Sequence, residues 1–133
     1  MKRYLLDTSA LLTLRDDEKG ANKVSQLLYD AQKNTSACYG CFISLMEILY
    51  RVWKDENQLA GRLAYEQCQA LPIIWVHESK ELLEQAAEIK ATQRLSLADA
   101  WISASAIQKN AILVHKDPEF NQLDCPQLKL PFK

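Results

Sequence analysis

The sequence predicts an α/β layer fold with a mostly parallel central sheet flanked by helices on both faces. Three observations carry this. Short apolar runs recur at residues 4–6, 73–76 and 111–114. Helical apolar spacing fills the intervals between them. Strands covered on both faces read as continuous apolar runs of this kind, whereas half-exposed strands alternate.

In chain order, Tyr4-Leu5-Leu6 reads as a buried strand that turns directly into a helix at residues 10–14, with Asp7, Thr8 and Ser9 at the corner. A charged stretch at 15–20 separates it from a second helix. There Val24, Leu27, Leu28 and Ala31 share one face, and the helix ends near Asn34. Residues 35–39 suit a strand. Ser44 opens a helix that turns Leu45, Leu49, Val52 and Trp53 to the core. The spacing at 59–71 is helical again, and Pro72 ends it before the strand at 73–76. Leu82, Leu83, Ala86, Ala87 and Ile89 mark a further amphipathic helix. Ser96 opens the next one, which runs to about Asn110. The strand at 111–114 leads into His115-Lys116-Asp117-Pro118, a turn into a helical piece, and residues 128–130 form a last short strand.

Bulk composition narrows the function classes. A chain of 133 residues suits one domain, 1–133. Its net charge of -1 gives no overall basic excess for phosphate backbones, so a nucleic-acid role must come from a local site. The apolar stretch before Asp7 is far shorter than a signal-peptide core, and no span suits a membrane; the expected location is the cytoplasm, with no membrane contact. The four cysteines are expected as reduced thiols. Cys38 and Cys41 have the spacing of a redox pair or zinc half-site, but no second pair accompanies them.

Four acids stand out: Asp7, Glu47, Asp99 and Asp117. Each is explicable alone. Asp7 and Asp117 can cap helices, with Pro118 in a first helical position, and Glu47 and Asp99 fit the third position of capping boxes opened by Ser44 and Ser96. Together they imply more, because a parallel sheet gathers strand ends and helix starts along one edge, where ligands bind. Carboxylates crowded there repel one another unless a cation neutralises them. An all-oxygen set favours Mg²⁺ or Mn²⁺ over zinc, and Ser9 can add a hydroxyl nearby. Such a site polarises a phosphodiester and activates water for in-line attack, with one or two ions.

At this point the chain resembles a known family, the PIN-domain ribonucleases, and within it the VapC-type toxins of bacterial toxin–antitoxin pairs. The resemblance lies in Leu5-Leu6-Asp7-Thr8-Ser9, Ser44-Leu45-Met46-Glu47-Ile48-Leu49-Tyr50, Leu97-Ala98-Asp99-Ala100-Trp101-Ile102 and Val114-His115-Lys116-Asp117-Pro118-Glu119-Phe120, in that order. It implies a PIN-like three-layer sandwich and Mg²⁺- or Mn²⁺-dependent endonucleolytic cleavage of RNA. It also implies a homodimer and inhibition by a cognate antitoxin. Asp7, Glu47 and Asp99 match the family's principal acids, Asp117 its more variable fourth, and Ser9 a frequent hydroxyl or amide position. His115 departs from the pattern, since Thr or Ser often stands there; hydroxyl support for the site is therefore in question. Glu119 can share the role of Asp117 or be a solvated first-turn acid.

Other features have plainer readings. Trp53, Trp75 and Trp101 suit core packing better than base stacking. Arg51, Arg94 and Lys116 neighbour the motifs and can meet RNA phosphates, although exposed cations are commonplace. A binding module whose acids only cap helices is one rival reading. A metal-dependent phosphatase with a strand-end Asp nucleophile is another, weakened because Ser9 stands where that chemistry wants a second Asp.

Overall fold

A computed structural model describes residues 1–132. Strand β1 (Lys2–Leu6) is followed by helices α1 (Thr8–Arg15) and α2 (Ala21–Gln32), then β2 (Ser36–Cys41). Helices α3 (Phe42–Asp55) and α4 (Gln58–Gln69) lead to β3 (Ile74–Val76). Helices α5 (Lys80–Thr92) and α6 (Leu97–Gln108) precede β4 (Ile112–His115), a 3₁₀ turn at Pro118–Gln122 and β5 (Gln127–Lys129). The sheet runs β3-β2-β1-β4-β5, and every neighbouring pair is parallel. The expected mostly parallel sheet is thus wholly parallel among the described residues.

Strand periodicity divides the core. Leu6, Cys38 and Val114 face α1 to α4, where Leu11, Val24, Leu27, Ile48, Val52 and Ala64 are buried with them. Leu5, Tyr39, Cys41 and Leu113 face the opposite way, against Leu82 and Ala86 of α5, Ile102 of α6 and Phe120. The result is a three-layer α/β/α sandwich. The same alternation separates Cys38 from Cys41, which belong to opposite layers although only three positions apart. They are free thiols, and burial pushes Cys38 up to about 11. A buried thiol on each side of a sheet is neither a redox pair nor half of a zinc site.

Local sequence explains several joints. Asn34 and Asn110 adopt positive φ just after α2 and α6, as the stop signals predict. Gly40 leaves room for an indole, because a β-carbon there would lie 2.4 Å from the Trp75 ring. Gly61 similarly lets α4 approach α3, since its β-carbon would meet the Leu49 carbonyl at 2.7 Å.

Two expectations need correction. Helix α3 begins at Phe42, directly after β2, with Cys41 as its cap residue, so Ser44 lies inside the helix and opens no capping box. Its buried face is consequently Ser44, Ile48 and Val52. Leu45 and Leu49 are half-buried, and Trp53 is 43% exposed where core packing was expected. Among the described residues, no helix is long and apolar enough to cross a membrane.

Candidate active site

The chain leaves β1 towards β2 and β3 on one side and returns to β4 and β5 on the other. Such a reversal opens a crevice at the carboxyl ends of the two central strands, here β1 and β4. Asp7 follows β1, and Asp117 stands two residues beyond β4.

Asp7 is almost wholly buried, 3% exposed. It caps α1, as its Oδ1 accepts the Ala10 N–H at 2.8 Å. The Ser9 hydroxyl donates to the same carboxylate, 2.7 and 2.9 Å from its two oxygens. Burial nonetheless raises the Asp7 pKa to about 7; the Ser9 and Ala10 bonds pull it down, while the charges of Asp117 and Glu47 push it up. Ser9 also accepts the backbone N–H of Lys116 at 2.9 Å, so one hydroxyl joins the end of β1 to the segment after β4.

Asp99 arrives by the route that capping predicts. Ser96 is the N-cap of α6, and its Oγ accepts the Asp99 N–H at 3.2 Å. The Asp99 carboxyl is raised to about 8, first by burial, then by Asp117, Glu119 and Asp7. Carboxylate oxygens of Asp99, Asp117 and Glu119 all lie within 4.8 Å of one another. Asp117 caps the 3₁₀ turn through the Glu119 N–H at 2.9 Å, with Pro118 in a first position.

Glu47 comes from further along its helix, in the second turn of α3. Thr8 Oγ1 is 2.6 Å from Glu47 Oε1 and 2.9 Å from Ser44 Oγ. A hydroxyl has one proton to give, and the short, charge-assisted contact takes it; the bond between the two hydroxyls then runs from Ser44 to Thr8.

The structure therefore places all four singled-out acids at one edge. Asp99 and Asp117 form the tightest group together with Glu119, and Asp7 is coupled to it through charge. Glu119 weighed less than Asp117 in the sequence, yet its carboxylate belongs to the same group. Thr8 was legible only as a residue of the β1–α1 corner; its role beside Glu47 required the approach of α1 to α3. Lys116, the cation next to Asp117, is paired instead with Glu18 at 3.3 Å. Acids crowded in an all-oxygen donor set fit a divalent metal ion.

Residues 4–125 match the PIN domain family. The chain belongs to that family. Its PIN fold is similar to VapBC2 from Rickettsia felis bound to a promoter DNA fragment, with a TM-score of 0.77, 16% identity, and coverage of 97% of this chain and 99% of that one. The DNA-bound VapBC from Salmonella typhimurium gives the same TM-score of 0.77 at 14% identity, covering 97% and 98%. VapC20 of Mycobacterium tuberculosis, a sarcin–ricin loop cleaving toxin, aligns with a TM-score of 0.73 and 16% identity over 95% and 98%. No curated protein matches the sequence. The PIN family match supports a nuclease in general.

Proposed function

We propose that this PIN protein is a divalent-metal-dependent RNA endonuclease, the toxin of a toxin–antitoxin pair. The observation that carries the reading is the gathering of Asp7, Glu47, Asp99 and Asp117 at the β1/β4 crevice, where Asp7 and Asp99 have pKa values raised to about 7 and about 8. These four acids would hold Mg²⁺ or Mn²⁺, and Glu119 stands close enough to share the load. An ion held there would supply Lewis-acid polarisation of a phosphodiester and would lower the pKa of water for in-line attack.

The protein's own groups orient this set. Ser9 holds both oxygens of Asp7, Thr8 holds Glu47, and the first turn of α6 holds Asp99. A cleft of about 230 Å³ beside Ser9 is lined by Arg15, Arg51 and Lys116 but equally by Asp16, Glu18, Asp55 and Glu56. Arg15 is ion-paired with Asp16 and Glu56 and Lys116 with Glu18, so phosphate binding falls to the metal site rather than to a cationic surface. Arg94 is exposed, and its backbone is clasped by Gln122, at 2.9 and 3.1 Å.

The fold likeness to chains of VapBC complexes supports a cognate antitoxin as partner. An RNA substrate, a homodimer, one domain over 1–133 and a cytoplasmic location belong to the same reading. Its test is a titration of Mg²⁺ and Mn²⁺, followed by cleavage of a structured RNA with and without chelator. Saturable binding and chelator-sensitive cuts are expected. An absence of both would leave the binding-module reading, in which the acids serve only as caps.

A further inference from the structure

β4 ends on His115, a residue only 1% exposed, whose ring meets Phe120 edge-on with centroids 4.9 Å apart. Both ring nitrogens are engaged. The Asp117 N–H donates to Nδ1 at 3.0 Å, and Nε2 lies 2.8 Å from Gln127 Oε1. A nitrogen that accepts from an amide carries no proton, so the single proton of this imidazole sits on Nε2 and is donated to Gln127. The Gln127 amide cannot be turned round, because its own Nε2 donates to the carbonyls of Phe120 at 2.8 Å and Leu123 at 3.3 Å. Edge strand β5 thereby fixes the imidazole, and the imidazole fixes the backbone of Asp117.

The next amide back along the chain is held in a comparable manner. Lys116 N–H donates to Ser9 Oγ, which in turn donates to Asp7. Two consecutive amides are thus gripped by side chains from different parts of the fold. On its other side, the Asp117 carboxylate accepts the Glu119 N–H. A side chain accepting the amide two residues on is what Asn, Asp, Ser and Thr do in turns. His115 supplies the same acceptor from a ring, in the place where the resemblance leads one to expect a hydroxyl.

We infer that His115 is a positioning residue: braced by Gln127, its unprotonated Nδ1 sets the Asp117 backbone and so aims that carboxylate into the acidic cluster. The inference rests on the reading of that cluster as a divalent-cation site. What the position demands is an acceptor at the δ atom. Bulk alone does not meet that demand.

The experiment compares the full-length protein with His115→Asn and His115→Gln, using Mn²⁺ binding by electron paramagnetic resonance, hydrogen exchange at the Asp117 amide, and thermal unfolding at one fixed pH. Asn keeps an acceptor at the δ position. Gln places its carbonyl carbon there and moves its polar atoms outward to the ε position. The expected result is Mn²⁺ affinity within about threefold of the original in the Asn variant and lowered about 10-fold or more in the Gln variant. Exchange at Asp117 should quicken only in the latter. Equal affinities in all three proteins, or an Asn variant as weak as the Gln one, would overturn the inference and leave the metal reading intact. An unsubstituted protein that binds no Mn²⁺ would overturn both. An arm free of substitution is the ¹⁵N spectrum of the imidazole, where a proton found on Nδ1 would overturn the inference even if both variants failed to fold.

Discussion

The starts of α3 and α6 carry nearly the same tetrapeptide, Ser44-Leu45-Met46-Glu47 and Ser96-Leu97-Ala98-Asp99. Each delivers a carboxylate to the same edge by a different physical route. In α6 the serine is the N-cap, and the acid is held by the helix start itself. In α3 the helix has begun two residues before Ser44, so the serine is buried inside it and Glu47 is held by Thr8 from another element. One acid is positioned locally and the other through tertiary contact. Similar sequence at two helix starts therefore does not mean similar mechanics.

The largest expected effect erases the comparison by removing either acid. Asp99→Asn and Glu47→Gln should each lower RNA cleavage by about 100-fold or more, since a metal's stabilisation of transition-state charge amounts to several kcal/mol. Single-turnover assays at saturating Mn²⁺ check this. Cleavage retained in Glu47→Gln alone would mean that Thr8 binds Glu47 for packing only.

The second expectation concerns pH without metal. The Asp99 carboxyl has its pKa raised to about 8 from the ordinary 3.8, first by burial and then by Asp117. The folded state therefore holds this proton more tightly than the unfolded state does. The associated stability is fully present below about pH 4 and is lost as pH rises towards 8. Denaturant titrations should show that decline in the metal-free protein. Asp99→Asn should make it shallower, the raised Asp7 carboxyl keeping part of the decline, and raise stability at pH 8 by about 1–3 kcal/mol. Added Mg²⁺ should act in the same direction, stabilising by about 2.7 kcal/mol at 100 times its Kd.

The smallest and most discriminating pair addresses the two supports. Ser96→Ala should cost about 1 kcal/mol of stability, the usual value of a lost cap, with metal affinity changed by less than about threefold. Thr8→Val should have a comparable stability cost, about 1–2 kcal/mol, because it strands Ser44 and Glu47. It should also weaken Mn²⁺ binding about 10-fold, as loss of an outer partner does. Calorimetric titration with thermal unfolding separates the two cases.

What the sequence by itself determined was whatever local chemistry dictates. Apolar runs announced β1, β3 and β4, and Asn34 and Asn110 marked helix ends. Ser96 capped α6 as its spacing required, and Asp7 and Asp117 capped their turns. The four acids could be picked out because acids after buried strands and at helix starts are drawn to one edge of a parallel sheet. The true start of α3 was hidden because β2 runs into it without a loop, which left Ser44 looking like a cap. Only tertiary structure decided that Glu119 joins Asp99 and Asp117, that Thr8 serves Glu47, and that His115 accepts from Asp117 while Gln127 holds its other side. Those relations depend on which strands are neighbours and where separate helices meet. A one-dimensional pattern carries no term for the distance between residues 8 and 47, or between 115 and 127; the packed sheet sets both.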